Sequence, residues 1–221
     1  RNQTTLEQRE RYPNIDWQDV LFKDYTMSYN ANVNVSGGTK FVKYFAGVDF
    51  VSEGDLYKNF GNGRNYSTGY DYNRVNVRSN LDFNITKTTV FKMNLAGSNG
   101  QRKAPWVNSS DGYSDWQVSQ QWAGAYNISP DAFLPKYSDG SWGYYPNASN
   151  VSNSAQNLAI GGTAQATTTR INTDFTLEQK LDFITKGLNF RATVSWDNVF
   201  VETSRGINDL NNTAQTKYID P

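Results

Sequence analysis

Neither cysteine nor histidine occurs anywhere in this sequence. The first absence excludes disulfides and thiolate chemistry. The second removes the imidazole on which most acid–base catalysis, catalytic triads and ordinary zinc sites depend. Any reaction would have to run on carboxylates, lysine or tyrosine. Net charge is missing too: 21 basic residues balance 21 acidic ones, so no overall field draws the chain to nucleic acid. No apolar run approaches the ~20 residues of a membrane-spanning helix. The opening RNQTTLEQRERYPN lacks the apolar core of a secretory signal and reads as the interior of a longer chain. Aspartate and glutamate are plentiful, yet no spacing singles out a pair of the kind glycosidases use. Asp111-Gly112 and Asp139-Gly140 begin like calcium loops but lack the ligand spacing that should follow. No catalytic residue, cofactor or metal is therefore expected.

Aromatic residues, by contrast, make up 14% of a chain whose mean hydropathy is −0.70. They are not scattered. In SGGTKFVKYFAGVDFVSEGD, Val42, Tyr44, Ala46, Val48 and Phe50 alternate with a parity that includes Lys43 and Asp49. Period two is the signature of a strand with unlike faces. The same alternation marks MSYNANVNVS, YNRVNVRSNLDFNI, the stretch from Phe91 to Ser98, Ile171 to Phe183, and Leu188 to Phe200. Six long strands in three hairpins are thus expected between residues 25 and 204, an all-β architecture. Residues 1–24 read as helix and loop: Thr4 and Glu7 have capping-box spacing, and DWQDVLF suggests a short helix from Asp16.

The connections alternate in length. Short turns are expected at Gly37-Gly38, Thr86-Lys87 and 185–187; long loops span 53–67, 101–164 and 205–221. All short turns therefore fall at one end of the strands and all long loops at the other. Outer-membrane barrels have this asymmetry. A soluble sandwich also alternates, but its strands usually run about 5–6 residues, and several here keep their pattern for a dozen or more. The sequence thus favours a segment of a large transmembrane barrel over a cell-surface, carbohydrate-binding β-sandwich. Val42, Tyr44, Val48, Phe83, Phe190 and Trp196 would face lipid, Trp196 as an interfacial anchor. Lys43, Asp49, Arg74, Arg78, Asp174 and Glu178 would line the lumen. Six strands do not close a membrane barrel, whose minimum is about eight, so further strands are expected outside these residues.

The order YPNIDWQDVLF, NVSGG, KYFAGVDF and RSNLDFNITK, across residues 12–100, resembles the SusC/RagA family of TonB-dependent outer-membrane transporters of Bacteroidetes-type bacteria. The resemblance implies an early portion of a 22-stranded barrel. It also implies a lumen-filling plug, a TonB-contacting segment elsewhere and a SusD-like surface lipoprotein acting as lid. The lumenal charges would then touch the plug. Substrates implied are oligosaccharides, sometimes peptides, taken up without bond chemistry. The long segment 101–164 holds the aromatics best suited to stack on such a solute: Trp106, Trp116, Trp122, Trp142, Tyr144 and Tyr145, with Asp139 to bond hydroxyls. Packing of the same rings within the loop is the plainer alternative.

Overall fold

The computed structural model describes residues 5–61, 63, 67–106, 115–145 and 151–206, apart from the side chains of 115–118. Six strands form one antiparallel sheet in chain order: β1 Ser28–Gly38, β2 Val42–Glu53, β3 Asp71–Asn84, β4 Thr89–Pro105, β5 Thr163–Lys180 and β6 Asn189–Arg205. Four short helices lie outside it: α1 Leu6–Arg11, α2 Trp17–Leu21, α3 Asp115–Asn127 and α4 Ser154–Ile160. Among the described residues, no helix is long and apolar enough to cross a membrane.

Register carries each parity intact from strand to strand. Val33 pairs with Val48 and Val48 with Val77; Met93 pairs with Phe175 and Phe175 with Val194. A slip of one residue anywhere would send the apolar side chains to the wrong face. The apolar face is nevertheless uncovered: Val33, Tyr44, Val48, Phe190, Val194 and Trp196 are all exposed. Phe83, Phe91 and Phe175 stack along the sheet at centroid spacings of 6.4 and 6.2 Å, neighbour upon neighbour, with no second sheet above them among the described residues.

The first hairpin turns later than Gly37-Gly38. Both glycines belong to β1, paired with Tyr44 and Lys43, and neither has a positive φ. Gly37 serves close approach instead, because a Cβ there would stand 2.6 Å from the Tyr44 hydroxyl. Thr39 makes the turn: its Oγ1 accepts hydrogen bonds from the Phe41 and Val42 amides at 3.2 Å each. At the third hairpin β5 stops at Lys180, so Leu181 and Phe183 are turn residues rather than strand. Asp182 accepts the Gly187 amide at 2.8 Å there, and Gly187 takes φ 84°. The α1 capping box uses Thr5 and Gln8, one residue beyond the expected pair, while Asp16 caps α2 as expected.

The packed core sits beyond one end of the sheet. It joins Trp17 and Leu21 of α2, Tyr57, Ala125 of α3, Phe133, Trp142 and four residues of α4. Segment 101–164 is therefore not irregular throughout. β4 runs on to Pro105, β5 begins at Thr163, and two helices fold between them.

Candidate functional site

The chain's polar and aromatic ligand-type residues gather in two places: the body at the long-loop end and the polar face of the sheet. The body is built from segments remote in sequence. Ile15 donates its amide to Pro130 O at 2.9 Å, Lys23 to Leu56 O at 2.8 Å, and Lys58 to Leu21 O at 2.8 Å. Trp17 meets Phe133 edge to face at 5.3 Å and donates Nε1–H to Ser129 O at 3.4 Å. Buried Glu10 accepts the Ser138 amide at 2.9 Å. Asn153 donates to the carbonyls of Pro135 and Gly143, satisfying two acceptors inside the body.

Most of the expected aromatic ligands turn out to have structural partners. Trp142 is buried, with the Lys136 ammonium 5.0 Å from its ring. Trp106 lies under the Arg205 guanidinium at 5.1 Å, half-buried. Asp139 holds a tight turn, accepting from the Ser141 amide and hydroxyl at 2.9 and 2.7 Å. Trp122 packs on Phe22 at 4.4 Å and meets Tyr57 at 6.1 Å, yet stays 41% exposed, so part of its ring remains open to solvent. Tyr144 and Tyr145 are exposed. The Trp116 side chain, Asp111-Gly112 and 207–221 lie outside the described residues.

A feature absent from the sequence reading is a groove of about 440 Å³ between α2 and α3. Its floor is Trp17, Ala125 and Ile128; its polar rim includes Asn14, Asp16 and Gln18, with exposed Tyr126 beside them. DWQD carried the signal, since a helix N-terminus this polar is built beside an exposed surface. Asp16 already caps α2 through Oδ1.

The loop after β2 is pinned by Asp55, whose two oxygens accept the Tyr57 and Tyr70 amides at 2.8 Å each. Burial raises its carboxyl above 3.8, and the two amide bonds pull it partly back. The native loop thus binds this proton more tightly than the unfolded chain. Its contribution to stability falls as pH climbs from 3.8 through the raised value and is level above. Amide exchange at Tyr57 and Tyr70, corrected for intrinsic rates, should show that decline. Asp55→Asn should flatten the profile, and Asp55→Ala should cost the loop about 1–3 kcal/mol at neutral pH.

On the sheet, Lys43, Asp49, Arg74, Arg78, Asp174 and Glu178 share one face. Near the short turns, Glu178 is held by Lys92 at 3.0 Å and Arg191 at 3.8 Å. Further up, Asp49, Arg78 and Arg170 border a depression of about 320 Å³. Val42, Tyr44, Val48, Phe83, Phe190 and Trp196 share the opposite face. Its apolar band runs in β3 from Val75 to Phe83, about 27 Å at roughly 3.4 Å per residue. Beyond it the same parity turns polar: Asn99, Gln101 and Lys103 in β4, Thr169, Thr167 and Gln165 in β5. Among the described residues no cluster of three or more carboxylates could hold a metal.

No family model and no curated protein matches the chain. Solved structures do. A chain of the RagAB peptide importer in its closed-closed state superposes with a TM-score of 0.59 at 18% identity, over 87% of this chain and 20% of that one. The RagAB peptide transporter gives 0.60 at 17%, with the same coverages. The likeness is one of fold. This chain spans about one fifth of the length of those chains.

Proposed function

We propose that this chain is part of the wall of a SusC/RagA-type, TonB-dependent outer-membrane importer. The observation that carries the reading is the uncovered apolar band, backed across the sheet by a charged face. Tilted at about 40°, a 27 Å run spans about 21 Å of bilayer, close to the ~25 Å apolar belt of membrane barrels. Water is a poor solvent for such a band, and a second sheet over it is what the sandwich alternative requires. Strands β1 and β6 each have one unpaired edge among the described residues. An open edge in hydrocarbon is untenable, so further strands of a barrel would pair there.

In this reading Lys43, Asp49, Arg74, Arg78, Asp174 and Glu178 face the lumen and its plug. TonB acts through segments other than these, and import requires no chemistry from this chain. The long-loop end faces outward, against a SusD-like lipoprotein, with an oligosaccharide or peptide as the solute. Trp122, Tyr126, Tyr144 and Tyr145 offer it exposed rings, and Asn14, Asp16 and Gln18 offer hydrogen bonds. Trp122→Ala or Tyr126→Ala should weaken solute binding by roughly tenfold each, as loss of a central aromatic anchor does. Isothermal titration with candidate oligosaccharides and peptides reads this directly.

The absence of cysteine makes the membrane assignment simple to test. Single substitutions Val48→Cys and Asp49→Cys each accept an environment-sensitive fluorophore without background labelling. With the complete barrel that contains this chain reconstituted in lipid, the label at 48 should be blue-shifted and quenched by doxyl groups on the acyl chains, and the label at 49 should not. Equal quenching at both, or at neither, would overturn the reading.

A further inference from the structure

The three short turns share a feature that the barrel reading leaves unused. Each contains Thr-Lys: Thr39-Lys40, Thr86-Lys87 and Thr185-Lys186. In the first two, threonine shapes the turn. Thr39 Oγ1 accepts the amides two and three residues on, and Thr86 Oγ1 does the same with Thr88 at 3.2 Å and Thr89 at 2.9 Å. In the third, the Thr185 carbonyl accepts the Leu188 amide at 3.0 Å. A turn closed in this way leaves the next residue at its tip, and in all three cases that residue is an exposed lysine. None of the three ammonium groups has an ion-pair partner among the described residues.

Beside each lysine stands a bulky apolar side chain directed at solvent: Phe41 (75% exposed), Ile85, and Phe183 (79% exposed) with Ile184. A cavity of about 850 Å³ opens beside the first two turns and is walled mainly by the charged face, with Glu178, Lys180 and Arg191, so it belongs to the lumenal side and not to the lipid-facing rim. Glu178 is already neutralised by Lys92 and Arg191. Carboxylates occur at this end too, Asp182 in the third turn among them, but the lysines occupy the tips; at the opposite end Glu53, Asp71 and Glu202 accompany Lys103 and Arg205.

We infer that this rim is a docking surface for the headgroups of anionic phospholipids. The inference rests on the reading in which the apolar band meets lipid. The apolar side chains sit at the acyl boundary, where the band ends, and the lysine stems carry their charges out to the phosphates. Recurrence at every short turn favours a laterally repeating layer of phosphates over a single protein partner, which would be matched by one patch. Lysine near an anionic leaflet gains roughly fivefold in affinity per residue, so three together amount to on the order of a hundredfold.

The test uses the complete barrel that contains this chain, in a zwitterionic detergent, titrated with phosphatidylglycerol or with phosphatidylcholine of the same acyl chains, and read by native mass spectrometry. Phosphatidylglycerol should be retained preferentially. The triple variant K40Q/K87Q/K186Q should lose that preference by on the order of a hundredfold while binding phosphatidylcholine unchanged. The variant K103Q/K136Q, at the other end, should behave as the parent. Equal retention of the two lipids by the parent, or an undiminished preference in the triple variant, overturns the inference alone. A chain that stays folded and monodisperse in buffer without detergent and retains neither lipid overturns the membrane reading beneath it.

Discussion

Val77→Arg is expected to cost the sheet about 1–3 kcal/mol when it folds into lipid, while Asn76→Arg, one residue away, stays within about 0.5 kcal/mol. Val77 lies within the band, one same-face position outward of its middle at Ser79, opposite Val48 on one side and Gly97 on the other, where its Cγ2 fills the space a Cβ of residue 97 would take at 3.2 Å. An arginine there has no water and no carboxylate within the band, so its charge must be dragged toward an interface. Asn76 points to the other face, in the row of Asp49, Ser98 and Arg170. A further cation there meets water and a carboxylate. Urea titration of folding into vesicles, followed by tryptophan fluorescence, measures both. Equal costs would mean that the two faces see the same solvent, and a larger cost at Asn76 would invert the sheet.

The strand pattern was legible because the two faces meet different surroundings, and that difference is written as alternation. Where the difference fades, so does the signal. β4 beyond Leu95 reads Gly97, Asn99, Gln101 and Lys103 on the formerly apolar parity, and from 101 on the sequence reads as loop. The strand persists there because Thr-rich β5 continues the ladder to the pair Pro105–Thr163. Backbone hydrogen bonds, which have no side-chain signature, extend it. The Gly37-Gly38 misreading has another origin. Glycine marks either a positive φ or a close approach, and only the Tyr44 ring lying across the strand decides for the second.

The long-loop aromatics were visible as a group but not as individuals. Trp142 and Trp122 are the same residue type in one segment, yet one is buried beside Lys136 and the other keeps part of its ring open. Trp122 is placed by Phe22 and Tyr57, 100 and 65 positions before it in the chain, whereas Trp142 is covered by Lys136 of its own segment. The groove at Asn14, Asp16, Gln18 and Tyr126 was hidden for the same reason. Helix-capping chemistry around Asp16 was readable, but its neighbour across the groove was not.

Phe133→Ala should remove about 3–5 kcal/mol from the long-loop body and leave the sheet standing. Phe133 is 1% exposed, set against the edge of Trp17, and the chain passes it so closely that a Cβ at Gly143 would come within 2.7 Å of its ring. Neither neighbour can collapse into the vacancy, since Trp17 is tied through Nε1 and the backbone at 143 is pinned by Asn153. The six strands draw on separate resources: continuous ladders and, in lipid, a satisfied apolar band. Loss should therefore be local. Limited proteolysis should cut within 128–145 far faster in the variant, while amide protection in β2 to β5 holds. Tyr144→Ala, at an exposed ring in the same segment, should change neither. If protection in the strands falls together with the body in Phe133→Ala, the two form one cooperative unit.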